Sequence, residues 1–508
     1  MKKGKMSLNL FYIALWGIPI FIFARDFFRL EDLTEIFNIS TYKIVAFSFK
    51  QACISVMLSF LLSIVPSYYI AYRRDRMSGL LESLIFIPFF FPVISTIVAF
   101  SIIFNLGFFK EFQVLYSLRA IIIANVFYNA PIFLKYLGDG MRSIPKEILE
   151  AARLEGINEK DLFFKVKLPL IMPQIFRAFF MVFVYCFTSF AIILSLGGIN
   201  YSTLEVEIAT TLMGSFDFSR AFALGMVQFG VLTLVNSMGQ SIEGYELKGD
   251  GDVKEVSLFT KIYSIIYLIC EYAVVLTGLV FAFFNFYTGE ISFKAFSKLF
   301  SMELNEYYPV IKGLINSLFL SGTVSVVTIL FTYLILKNYT KFTNYIIFST
   351  FGFSSAFLAI TLVYLNISWN ISLWLLLVVG YFLTSIPVAY SFMYQYIREF
   401  PREILEAARI DGAGVREIFF LIEFPILKNI FISIFLQIFA IVFGEFTITY
   451  TMQAGDIFPL ASLVNYSMAS NKMFLESSAL SALNLLIIIS LFILSQYMRD
   501  RDWKNSLN

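Results

Sequence analysis

The sequence predicts an all-α polytopic membrane protein: about twelve transmembrane helices in two parallel repeated halves of about six, each half carrying one long cytoplasmic loop. Three observations predict it. The 508 residues are 59% apolar and only 15% charged, with a mean hydropathy of +0.78. A soluble chain of this length needs far more polar surface, so lipid is the solvent that fits. Apolar stretches of about 18 residues or more recur, long enough to cross a hydrocarbon core as helices. They run without the polar–apolar alternation of a barrel strand. Finally, a segment near residue 147 is written again near residue 403.

The spans are expected near residues 8–24, 46–71, 84–106, 117–136, 173–196, 221–238, 262–286, 313–336, 343–366, 370–394, 428–450 and 476–497. Lys2, Lys3 and Lys5 precede the first apolar run as they would in a secretory signal. That run is rather long, and Ile22-Phe23-Ala24 is a poor small-residue cleavage site, so an uncleaved first helix is the better reading. Placing Met1–Lys5 inside gathers most Lys and Arg into the cytoplasmic segments, as the positive-inside rule requires. Both termini are then cytoplasmic, and the chain is expected as a multi-pass protein of the inner (cytoplasmic) membrane of a prokaryote. The net charge of +2 implies no nucleic-acid partner. Cys53, Cys186 and Cys270 fall within spans and read as packing residues, not a disulfide framework. Histidine is absent, which removes the commonest general base, metal ligand and proton relay. No catalytic residue, metal site or cofactor is expected.

Self-comparison divides the chain. Residues 147–156 read EILEAARLEG and residues 403–412 read EILEAARIDG, an offset of 256. The register holds without a gap from Arg142/Arg398 through Pro145/Pro401 to Phe163/Phe419 and Pro169/Pro425, and reaches back to Pro131/Pro387. Residues 239–256, rich in Gly and acids, read as a cytoplasmic linker. The halves are therefore 1–238 and 257–508, with the repeated loops at about 142–169 and 398–425.

The loop chemistry suggests a docking element. Pro145 suits a helix start, and Glu147 and Glu150 sit near the positive end of the helix dipole. Ala151 and Ala152 favour helix while presenting little bulk. Gly156 suits a left-handed stop. A second short helix follows over Glu159 to Lys167, and Pro169 marks entry to the next span. A merely solvated amphipathic loop is the plainer alternative, but two copies in register at equivalent places argue against it.

These residues carry a resemblance. Glu150-Ala151-Ala152 with Gly156, and Glu406-Ala407-Ala408 with Gly412, each followed by Pro169 or Pro425, resemble the EAA loop of type I ABC importer permeases. The likeness covers nearly the whole chain as a fused double permease. It implies that both loops form coupling helices fitting clefts on two copies of a cytoplasmic ATP-binding subunit. It also implies alternating access, and substrate capture by a periplasmic or lipid-anchored binding protein. The chain has no G-x-x-x-x-G-K-[ST] phosphate loop, so it is expected to be a transporter subunit whose ATP hydrolysis lies on another chain. The segments 25–45, 197–220, 287–312 and 451–475 are the expected outer docking surfaces.

For the substrate, LGGINYSTLEVEI at 196–208 and FDFSRAFALGMVQ at 216–228 resemble fused permeases for thiamine and, more distantly, ferric iron. Thiamine is favoured on Thr203-Leu204-Glu205-Val206. Permeases for polyamine or oxyanion, and an ion-gradient-driven secondary transporter, are the alternatives. A secondary transporter would place paired acids or broken helices at the midplane, and those are scarce here. Glu445, within a span, and its repeat equivalent Ser189 are candidates for the substrate pathway. The competing reading makes Glu445 an interfacial residue bonded to a neighbouring loop. Lys50, Lys135 and Arg177 read as snorkelling residues, and Glu271 has no evident role. Pro88 and Pro92 have no counterpart pair in the second half.

Overall fold

The computed structural model describes residues 2–28, 38–73, 78–79, 84, 88, 91–198, 201–240, 255–285, 289–340, 342–398 and 400–505. Most of the expected linker, 241–254, lies outside these residues. The principal helices of the first half are α1 (Lys2–Phe27), α2 (Ile39–Tyr72), α3 (Val93–Phe104), α4 (Leu118–Arg142), α5 (Lys146–Leu154), α6 (Leu168–Phe187), α7 (Ala191–Leu196), α8 (Leu204–Ser215) and α9 (Phe218–Gln240). Each has a counterpart in the second: α10 (Leu258–Phe281), α11 (Val310–Lys337), α12 (Ser355–Trp369), α13 (Leu373–Arg398), α14 (Arg402–Ile410), α15 (Phe424–Gly444), α16 (Thr447–Thr451), α17 (Ala461–Ser470) and α18 (Phe474–Asn505). The helix starts keep the 256-residue offset to within one position from α4/α13 through α9/α18. Helical geometry thus preserves a repeat that the lipid-facing residues no longer spell.

Among the described residues, ten helices are long and apolar enough to cross a membrane. The other two expected spans, 84–106 and 343–366, yield the shorter α3 of 12 residues and α12 of 15 residues. At 1.5 Å per residue these reach only about 18 and 23 Å, less than a hydrocarbon core of about 30 Å. Their starts explain the shortening. Pro92 sits at the N-cap of α3 in extended geometry, and Ser354 caps α12 by accepting the Phe357 amide at 3.1 Å. Both short helices fall at the third position of their half. A two-residue hairpin, Phe284–Asn285 with Glu290–Ile291, follows α10.

Small polar residues hold the helices close. Ser48, Ser55, Ser59, Ser63 and Ser67 line one buried face of α2, which lies along α4. Ser317, Ser321, Ser325, Thr328 and Thr332 do the same on α11 against α13. Spacing near four places them on one side, and small side chains let membrane helices approach closely. Several hydroxyls satisfy themselves on their own helix, as Ser59 Oγ does by donating to Ser55 O at 2.7 Å.

The two halves interlock. The first helix of each half packs on the last helix of its own half and on the third helix of the other: α1 on α9 and α12, α10 on α18 and α3.

Candidate functional site

The repeated loops are built alike. In α5, Leu149 and Ala152 face inward while Glu150, Ala151 and Leu154 face out. In α14, Ala408 is buried while Glu406, Ala407 and Ile410 are exposed. Leu154 and Ile410 occupy the same repeat position and are 90% and 86% exposed. Gly156 and Gly412 close the helices with φ of +79° and +88°. There Ile157 N donates to Ala152 O at 3.2 Å, and Ala413 N to Ala408 O at 3.0 Å. This is the six-residue closure that a left-handed glycine permits.

The following segment differs from expectation. No separate second helix ends before Pro169; instead 159–187 runs continuously through a π-helical turn, Leu162–Lys167, into α6. The second half repeats the turn at Ile418–Glu423. The wider turn precedes Pro169 and Pro425, whose missing N–H groups would otherwise interrupt the ladder. Each loop is therefore joined rigidly to the next span.

Each π turn is bolted to the end of its half's second helix. Lys167 Nζ donates to Tyr72 Oη at 3.1 Å and lies 4.6 Å from that ring's centroid. At the equivalent position Glu423 accepts hydrogen bonds from Lys337 and Tyr333. The joint is kept and its charge reversed. Arg142 donates to Ile70 O at 3.1 Å, and its equivalent Arg398 lies 4.4 Å from the centroid of Tyr339.

Between the halves lies a cavity of about 940 Å³. It runs from Ile132, midway along α4, to Ser143, where α4 ends, and the facing wall comes from 344–348 and α13. Lys135 and Arg177, read from the sequence as snorkelling residues, line this cavity. Lys135 pairs with Asp139 at 2.9 Å, an i,i+4 pair that draws it along α4 toward the inter-half space. Lys50 remains exposed.

Neither Glu445 nor Ser189 lines the cavity. They sit at breaks after α6 and α15, which the expected continuous spans 173–196 and 428–450 did not include. The breaks fall on polar or small residues, Thr188-Ser189 and Gly444-Glu445. Thr188 bonds back to Val184 O at 2.9 Å, and an added Cβ on Gly444 would come within 3.2 Å of Pro92. The Glu445 carboxylate accepts the amides of Thr447 at 2.8 Å and Ile448 at 3.2 Å, capping α16.

Sequence reasoning gave Glu205 no role beyond subfamily likeness. It is fully buried, accepts Gln228 Nε2 at 2.7 Å, and accepts the Ala356 amide of the other half at 2.8 Å. A carboxylate at the N-terminus of α12 meets unpaired amides and the positive end of the dipole. The signal was present: an acid at the second position of a short apolar helix.

A duplicated membrane bundle with an exposed helical hook on each half and a cavity between them defines a membrane transport component. The chain belongs to the family described as the binding-protein-dependent transport system inner membrane component, which matches residues 59–243 and 325–501. It is similar to the thiamine transport system permease protein ThiP of Haemophilus influenzae, 28% identical over 199 residues, covering 37% of each chain. The ThiP of Escherichia coli is 30% identical over 222 residues, covering 40% of each. The sulfoquinovosyl glycerol transport system permease protein SmoH of Agrobacterium fabrum is 27% identical over 194 residues, 37% of this chain and 66% of that one. The alignments thus span about two fifths of the two ThiP chains.

Proposed function

We propose that this chain is the permease subunit of a binding-protein-dependent ABC importer, with halves 1–238 and 257–508 fused through 239–256. In this reading both loops and both termini face the cytoplasm, and each loop seats in one copy of a separate ATP-binding subunit. The observation that carries it is the matched exposure of Leu154 and Ile410, 90% and 86%, each on a short charged helix. An apolar knob held out at one position of both repeats suits insertion of a helix into a groove. Glu150, Ala151, Gly156, Glu406, Ala407 and Gly412 frame that contact. Ala152, Ala408, Pro169 and Pro425 shape the loop behind it.

The mechanism follows from the joints. ATP drawing two subunits together pulls on α5 and α14. The continuous helix beyond each loop carries the pull into α6 and α15, while Lys167–Tyr72 and Glu423–Lys337 carry it into α2 and α11. The halves rock about their shared axis. The cavity beside the loop ends, with aromatic contacts closing the far end, supports an inward-open arrangement. Glu445 and Ser189 then flank the closed end of the pathway. A binding protein would dock outside, where Ile291, Phe293, Met302 and Tyr307 are exposed.

Thiamine is the proposed substrate. The ThiP relatives support it, and so do the ring faces of Tyr136, Tyr185, Phe180, Phe392 and Tyr394 in the cavity wall, which suit a flat aromatic cation. The test is uptake of radiolabelled thiamine by cells expressing the chain together with an ATP-binding subunit and a thiamine-binding protein that assemble with it. ATP-dependent uptake is expected. Uptake persisting after ATP depletion would instead indicate an ion-driven carrier. ATP-driven uptake of some other solute would reject thiamine alone.

A further inference from the structure

We propose that a second, lateral pocket walled by α2, α3, α4 and α10 binds a lipophilic amine, with Glu271 as the acceptor of its ammonium group. The cavity measures about 340 Å³ and is lined by Leu62, Phe100, Phe127, Tyr267, Glu271 and Val274 among others. Glu271 lies midway along α10 and is 8% exposed. Its Oε2 and Tyr267 Oη, one turn earlier, interact with each other but make no hydrogen bond of normal geometry among the described residues. None of the described residues lining the pocket is basic. The lipid side is open, since Leu62, Ile266 and Cys270 are exposed.

A carboxylate within a span requires a partner or a water path. An acyl chain would fill the volume and leave the carboxylate with the Tyr267 hydroxyl alone and no cation, which is costly in an apolar setting. A partner helix, about 10 Å across with its side chains, does not enter a cavity of this size. An amine with a short apolar tail satisfies the carboxylate, reaches the Tyr267 hydroxyl and covers the apolar wall. The pocket is separate from the inter-half cavity, so this inference stands independently of the importer reading.

The test is native mass spectrometry of the purified full chain titrated with decylamine or with decanol. One decylamine per chain is expected, bound roughly tenfold or more tightly than decanol, as one charge-assisted hydrogen bond supplies. Glu271→Gln is expected to lose that preference while binding decanol as before. Val274→Phe, which fills the pocket and keeps the carboxylate, is expected to lose bound decylamine. Equal binding of amine and alcohol to the wild type, or decylamine binding unchanged in either variant, overturns the proposal. If Glu271→Gln does not fold, the Val274→Phe comparison decides alone.

Discussion

Phe190 and Phe446 are the same position of the two repeats, and their rings lie against each other across the halves, centroids 6.1 Å apart and planes at 29°. The pseudo-two-fold axis passes between them. Each follows a helix break, so the pair sits where the two transport halves meet at the end away from the loops. Tyr450 and Tyr466 extend the contact from the second half only, with ring centroids of Phe446 and Tyr466 4.9 Å apart. Leu194 and Thr210 stand at their equivalents.

Truncating both rings should loosen this closure. An aromatic pair contributes about 0.5–1.5 kcal/mol beyond its buried area, enough to shift a two-state balance several-fold. The Phe190→Ala, Phe446→Ala variant is expected to show several-fold higher ATP hydrolysis without binding protein, measured in reconstituted membranes. Unchanged basal hydrolysis would remove the gate from this position.

The loop glycines and knobs should separate stability from coupling. An added Cβ at Gly156 or Gly412 meets nothing within 4 Å, so Ala there costs only the left-handed strain, about 1–2 kcal/mol each. Leu154→Glu with Ile410→Glu should leave the thermal midpoint unchanged, because both side chains are exposed, and should reduce binding of the ATP-binding subunit at least about tenfold. Thermal unfolding and subunit pull-down of the purified chain measure the two effects.

The reversed joints should respond unequally. Lys337→Met leaves the Glu423 carboxylate buried with Tyr333 as its remaining bonded partner, a loss of about 2–3 kcal/mol for a pair partly open to solvent. Adding Glu423→Leu should recover part of it. Lys167→Met removes the hydrogen bond to the neutral Tyr72 hydroxyl, and that bond by itself is worth less than the Glu423–Lys337 pair, so a smaller loss is expected from it. Thermal midpoints of the three variants test the order.

Glu205 should act as a strut between halves. Glu205→Ala is expected to cost about 1–2 kcal/mol through loss of the α12 cap, and Glu205→Gln less, since an amide oxygen still accepts. Because α12 belongs to the other half, uptake should fall together with the unfolding midpoint.

The sequence made the repeat and the loops legible because water-exposed helices keep charges, prolines and glycines whose roles are local. Gly156 and Gly412 were readable from backbone rules alone, and both adopt the left-handed conformation. The breaks at Ser189 and Glu445 were not readable, since apolar residues continue on either side and only packing against Pro92 and Phe446 shows where the helix ends. The cavity escaped notice for a similar reason. Lys135 and Arg177 have the composition of snorkelling residues, and only the opposing half shows that they face inward. Glu205 and the serine faces of α2 and α11 carried a signal, in an acid opening a short helix and small residues about four apart.

The most direct test places single cysteines at Ala151 and Ala407 in a chain whose Cys53, Cys186 and Cys270 are replaced, and cross-links each to the ATP-binding subunit in inside-out vesicles. Both positions are expected to cross-link, each to its own copy, and to be shielded from membrane-impermeant thiol reagents added to intact cells. Labelling of either position from outside, or cross-linking at one loop only, would contradict paired cytoplasmic coupling.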